Sequence, residues 1–186
     1  MASPRPLITT PTSFLRCPLN SAILVLLQHV ANQPQGQIMN AFVTGGSRGI
    51  GRAIVLRMVE EGHGCAFTYR TNSQAAEETI SLAREINPKS LVRSYQIDIR
   101  NPREVESCVE EAIKDFKHLQ IIVNNAAVVR DNVTVMMSDE EWDEVIATNL
   151  SGPFYVIRSF LMHLIAKRKG RIINISSSIS LSSSQP

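Results

Sequence analysis

Cysteine is scarce and unpatterned: Cys17, Cys65 and Cys108 form no CxxC and cannot all pair with one another. That excludes a disulfide scaffold and fits a reducing compartment. Histidine is equally sparse, and His29, His63, His118 and His163 lack the spacing of metal ligands, so no metal site is expected. Aromatic residues make up 5%, too few for an obvious base-stacking platform. With 19 Lys+Arg against 17 Asp+Glu, the balance is too even for an electrostatic nucleic-acid binder. What is present is ordinary: 186 residues, 44% hydrophobic, enough for one globular domain and neither disordered nor collagenous.

Acid is missing from the start of the chain. No Asp or Glu precedes Glu60, whereas residues 1–37 hold Arg5, Arg16 and several prolines, among them Pro4, Pro6, Pro11 and Pro18. The apolar run Ile23–Leu27 is broken by Gln28 and His29, far short of the ~20 residues that span a bilayer. Residues 1–37 are therefore expected to lie outside the fold, as a leader or as sequence upstream of a start at Met39. A cytoplasmic protein is expected, or a mitochondrial or plastid one where 1–37 act as a transit peptide.

From Ile38 short apolar runs alternate with amphipathic stretches. Strands are expected at Ile38–Thr44, Cys65–Tyr69, Leu91–Ile97, Ile121–Asn124 and Arg171–Ile175. Helices are expected at Ser47–Glu61 and Gln74–Ile86, and from Asn101-Pro102 onward with Val105, Val109, Ala112, Ile113 and Phe116 at helical spacing. Ser138-Asp139-Glu140-Glu141 has capping-box form, and the acids of Asp139–Glu144 read as a solvated first turn. A long helix after Pro153 puts Val156, Ile157, Phe160, Leu161, Leu164 and Ile165 on one face and stops at Lys167-Arg168-Lys169-Gly170. Such alternation predicts an α/β fold: a doubly wound parallel sheet between two helical layers.

Between the first strand and helix stands Thr44-Gly45-Gly46-Ser47-Arg48-Gly49-Ile50-Gly51. Glycines here allow a tight strand exit and close approach of a diphosphate to a helix N-terminus, so a dinucleotide site is expected. A carboxylate at the tip of the second strand would favour NAD. The chain has Tyr69-Arg70-Thr71-Asn72-Ser73 instead, and Arg70, with Arg48 across the turn, suits the 2′-phosphate of NADP(H).

These motifs resemble the short-chain dehydrogenases/reductases. Thr44–Gly51 matches the family's glycine turn, and Asn124-Asn125-Ala126-Ala127 its Asn-Asn-Ala-Gly with alanine for the last glycine. Asn149 in Thr148-Asn149-Leu150 and Ser177 after Ile172–Ile175 match its catalytic asparagine and serine. Within the family, Asn124–Trp142 and Gly170–Ile173 look most like 3-oxoacyl-acyl-carrier-protein reductases, a fatty-acid-synthesis activity. The resemblance implies cofactor contacts from Gly45, Ser47, Arg48, Gly49, Ile50, Gly51 and Arg70, with Asp98 and Ile99 at the adenine and Asn125 and Ala126 beside the ribose. It also implies an acidic carrier protein met by Arg168, near the mouth of the site, and a homotetramer of the full-length protein paired through the face Val156–Ile165. The family's Tyr-x-x-x-Lys is missing: Ser73, Ile99 and Ser159 stand four residues after Tyr69, Tyr95 and Tyr155. Residues 38–186 are thus expected to form an incomplete Rossmann domain without its last strands, inactive by itself. The alternatives are a non-catalytic dinucleotide-binding protein and a reductase of another small ketone.

Overall fold

Side-chain caps mark where three helices start in the computed structural model, which describes residues 38–176. The expectations for residues 1–37, including Cys17, and for Ser177 lie outside the described residues. The chain runs through β1 (Asn40–Val43), α1 (Gly49–Glu60), β2 (Cys65–Tyr69), α2 (Ser73–Ile86), β3 (Val92–Gln96), α3 (Pro102–Phe116) and β4 (Leu119–Asn124). It continues through α4 (Asp139–Ile146), a π-turn (Ala147–Ser151), α5 (Gly152–Lys167) and β5 (Arg171–Asn174). Asn72 caps α2 by accepting from Ala75 N–H at 2.9 Å, and Asn101 caps α3 by accepting from Arg103 N–H at 3.1 Å. Ser138 and Glu141 exchange the reciprocal capping-box bonds at 3.2 Å each. In contrast, α1 begins at extended Arg48, which gives no side-chain cap.

All strand pairs are parallel, in the order β3-β2-β1-β4-β5. The chain winds outward from β1 to β3, then crosses to β4 on the other side of β1. The carboxyl ends of β1 and β4 therefore flank a topological switch point, where open α/β sheets bind ligands. Phe42, Ala66 and Ile122 pack under α3 and α5 with Val105, Val109, Ala112, Phe116, Val156, Phe160 and Leu164. Ile54, Val55, Met58 and Val59 are the buried stripe of α1, which packs on β1 and β2. The expected three-layer α/β fold is what forms. Among the described residues no helix is long and apolar enough to cross a membrane.

One expectation needs correction. The apolar face of α5 is split: Val156, Phe160 and Leu164 are buried in the chain's own core, while Leu161 (44%) and Ile165 (58%) are exposed with Phe154 and Met162. A single stripe at i, i+4 contacts the sheet, and residues one step round the helix turn outward. At the edge of the described sheet, β5 leaves Ile172 40% exposed.

Cys65 and Cys108 are buried free thiols, and burial pushes both upward, Cys108 to about 12, so neither is poised as a nucleophile. Phe160 is fully buried and meets Phe42 edge-on with ring centroids 4.9 Å apart. Phe160→Ala is expected to cost about 3–5 kcal/mol of stability, read from urea unfolding.

Candidate functional site

The glycine turn is held from both sides by buried threonines. Thr44 ends the β1 ladder by donating its N–H to Val123 C=O at 3.0 Å, and its Oγ1 accepts from the N–H groups of Asn125 and Ala126 at 3.0 Å each. Asn125 returns the contact, its Nδ2 donating to Thr44 C=O at 2.9 Å and Gly45 C=O at 3.2 Å. On the other side Thr68 of β2 accepts from Gly46 N–H through its carbonyl at 2.9 Å and from Gly45 N–H through Oγ1 at 3.4 Å. Beyond the turn, Ser47 C=O accepts from Arg52 at 2.8 and 3.0 Å and from Thr79 Oγ1 at 3.1 Å, which fastens the turn to α2.

The backbone so fixed leaves open space at the start of α1. A Cβ on Gly51 would lie 2.1 Å from Gly45 C=O, so the first turn of α1 rests directly on the strand exit. Gly49 has φ +56° and faces open space, with nothing within 4 Å of where a Cβ would stand. An uncapped helix start facing that space offers free N–H groups and a positive dipole end to a diphosphate. The residues fit the dinucleotide that the sequence suggests. Ile50 is half-buried in the first helical turn, and Arg48 is exposed at the cap.

Arg70 stands at the tip of β2, its carbonyl accepting from Gln96 Nε2 at 3.2 Å and its side chain 47% exposed. Both Asp98 oxygens accept from Arg100 Nε at 2.9 Å, and that guanidinium holds the Asp98 carboxyl below the usual range. A carboxylate has lone pairs to spare, so Asp98 can still accept from an adenine amine. Ile99 is buried and its side chain packs against Gly152, which leaves only its backbone for a ligand.

Glu144 is the residue that reading the sequence missed. Its neighbours Asp139 and Glu140 are the exposed first-turn acids expected, but Glu144 is 20% exposed and bonds Arg130. It also lies 3.6 Å from Arg70 and 3.7 Å from Arg100. The three arginines come from three separate loops, so no local pattern announces the cluster.

Asn149 lies in the π-turn. Its side chain makes a two-bond clamp on Val128, accepting from Val128 N–H and donating to Val128 C=O, both at 2.9 Å. Pro153 explains the widened turn, since it has no N–H to continue an α-helical ladder past Asn149. Asn124 Nδ2 donates to Asn174 Oδ1 at 2.8 Å, and its carbonyl accepts from Ile175 N–H at 2.9 Å, so β5 leaves the sheet at the site's end.

The placement of Arg168 near the site's mouth is overturned. A crossover helix returns the chain from the carboxyl to the amino ends of the strands. Gly152, at the start of α5, touches Ile99 beside the site, while Arg168 caps the far end, three residues before β5 opens at Arg171. Sixteen residues of helix separate the two ends by about 24 Å.

The short chain dehydrogenase family model matches residues 39–185. The chain is 39% identical over 139 residues to 3-oxoacyl-acyl-carrier-protein reductase FabG of Staphylococcus aureus, covering 74% of this chain and 55% of that protein. The Escherichia coli reductase of the same name is 38% identical over 137 residues, with 74% and 54% covered. The chain thus spans about half the length of the curated relatives it matches. Among solved structures, a short-chain dehydrogenase/reductase mutant from Serratia marcescens superposes with TM-score 0.71 at 32% identity, covering 80% of this chain and 59% of that one. A metagenomic short-chain oxidoreductase solved in complex with NADP gives TM-score 0.69 at 31% identity, covering 80% and 65%. A family match over nearly all of the described residues, on a sheet with the family's switch point and glycine turn, leads to one conclusion: the chain belongs to the short-chain dehydrogenase family.

Proposed function

We propose that the chain carries the NADP(H)-binding half of a carbonyl reductase that converts 3-oxoacyl thioesters to 3-hydroxyacyl thioesters in the cytoplasm or an organelle. The observation that carries the reading is the glycine turn packed against β1 with Arg70 at the tip of the neighbouring strand. The names of the reductase relatives and of the NADP complex support it. When bound, the dinucleotide supplies hydride to the carbonyl carbon. The chain's own residues bind and orient. Gly45, Ser47, Arg48, Gly49, Ile50 and Gly51 surround the diphosphate, and Arg70 pairs with the 2′-phosphate. Asp98 and the backbone of Ile99 line the adenine. Asn125 shapes the turn beside the ribose with Ala126, while Asn149 fixes the loop that follows β4. Ser177 polarises the substrate oxygen.

The thioester arrives free or on an acyl carrier protein. Arg168, at the far end of α5, is the candidate contact for the carrier's acidic surface. In the full-length protein the exposed line Phe154, Leu161, Met162 and Ile165, rather than the buried stripe of α5, pairs subunits into a homotetramer. The missing Tyr-x-x-x-Lys favours a second reading for residues 1–186 taken alone, a dinucleotide binder without efficient turnover.

Arg70→Asp tests the cofactor assignment. Losing a charge-assisted bond worth about 1.5–3 kcal/mol should shift the NADP-to-NAD ratio of dissociation constants about 10–100-fold toward NAD. An unchanged ratio overturns the NADP(H) assignment.

A further inference from the structure

A carboxylate is set against the arginine that a 2′-phosphate would use. Glu144 gathers Arg70 from the tip of β2, Arg100 from the loop after β3 and Arg130 from the loop after β4. Its hydrogen bond is to Arg130; Arg70 at 3.6 Å and Arg100 at 3.7 Å lie beyond good hydrogen-bond reach. Arg100 is already committed to both oxygens of Asp98. Arg70 therefore feels the charge of Glu144 without being fixed by it, and its exposed guanidinium keeps its donors for a ligand.

We infer that Glu144 is a specificity-determining residue that weakens 2′-phosphate binding and so moderates the preference for NADP(H) over NAD(H). The inference rests on the cofactor reading above and names the group that tunes it. Arg70, Arg100 and Arg130 against Asp98 and Glu144 leave the cluster at +1, and neutralising Glu144 raises it to +2. A phosphate entering beside Arg70 meets the like charge of Glu144 and competes with it for the guanidinium. A ribose 2′-hydroxyl carries no charge and can even donate to a carboxylate, so NAD(H) does not suffer. Pre-orientation of Arg70 by Glu144 would act in the opposite sense, but it needs a hydrogen bond that the 3.6 Å contact does not make.

The test is titration of the full chain with NADP+, NAD+ and adenosine 2′,5′-bisphosphate, with no turnover required. Glu144→Gln and Glu144→Ala are each expected to tighten NADP+ and the bisphosphate about three- to tenfold, and to leave NAD+ within about twofold. Glu144→Asp, which keeps the charge, should stay near the parent, and the gain should shrink as salt rises. Unchanged or weaker NADP+ binding in both neutral variants overturns the inference, and does so alone where Arg70→Asp still shifts the cofactor preference. Where Arg70→Asp has no effect either, the NADP(H) reading falls with it.

Discussion

Gly51→Ala is expected to weaken dinucleotide binding about 10²–10⁴-fold, while the chain stays folded. The added Cβ would lie 2.1 Å from Gly45 C=O, 2.6 Å from Asn125 Nδ2 and 2.8 Å from Gly45 C, distances that no real contact shows. Two of those atoms are backbone, so relief must come from moving the turn or tilting α1 away from β1. Both partners are tied. Gly45 C=O accepts from Asn125, and Gly45 N–H donates to Thr68. A shift in the turn therefore misaims the N–H groups that would meet the diphosphate. Losing two charge-assisted bonds at about 1.5–3 kcal/mol each accounts for the expected range. Overpacking should cost about 1–3 kcal/mol of stability, small enough for circular dichroism to show native helix content under the titration conditions. Parent-like affinity in the variant would mean that the turn does not hold the diphosphate.

Sequence made this region legible because its determinants are contiguous. A strand, a glycine turn and a helix within Asn40–Glu60 are all local, and so are the caps Asn101 and Ser138, which stand where the chain enters α3 and α4. Glu144 was not legible for the complementary reason. Its partners are separated from it by 74, 44 and 14 residues and meet only once β2, β3 and β4 are joined in one sheet through β1. Read along the chain, it is one more acid in a charged first turn. Thr44 and Thr68 were seen only as motif and strand residues, though together they hold the turn from both flanking strands. Arg168 differs again: it stands three residues before β5, yet far from the site. In a parallel sheet, nearness to a strand's first residue means distance from the site.

The same rule bears on catalysis. Residues 1–186 taken alone are expected to reduce an acetoacetyl thioester with NADPH about 10²–10⁴-fold more slowly than a relative bearing Tyr-x-x-x-Lys, although they bind the nucleotide. Reduction of a carbonyl leaves negative charge on oxygen, and that oxygen must take up a proton. The family's tyrosine delivers it with help from a nearby ammonium, and here the ammonium groups are at the wrong end. Lys89 precedes β3, Lys114 and Lys117 precede β4, and Lys167 and Lys169 precede β5. All five therefore lie toward the amino ends of the strands, across the sheet from the glycine turn and from Asn149. The tyrosines are no better placed. Tyr95 donates to Asp115 at 2.7 Å, and burial together with that carboxylate drives its pKa upward, making it a poorer acid. Tyr155 packs against the core with Arg158 over its ring at 5.4 Å, and Tyr69 ends β2 with Ser73 four residues on. The measurement is NADPH oxidation in the presence of the thioester, beside a binding titration on the same preparation. Tight binding with slow oxidation is the expected pair of results, and a rate equal to the relative's would mean that another group in this chain supplies the proton.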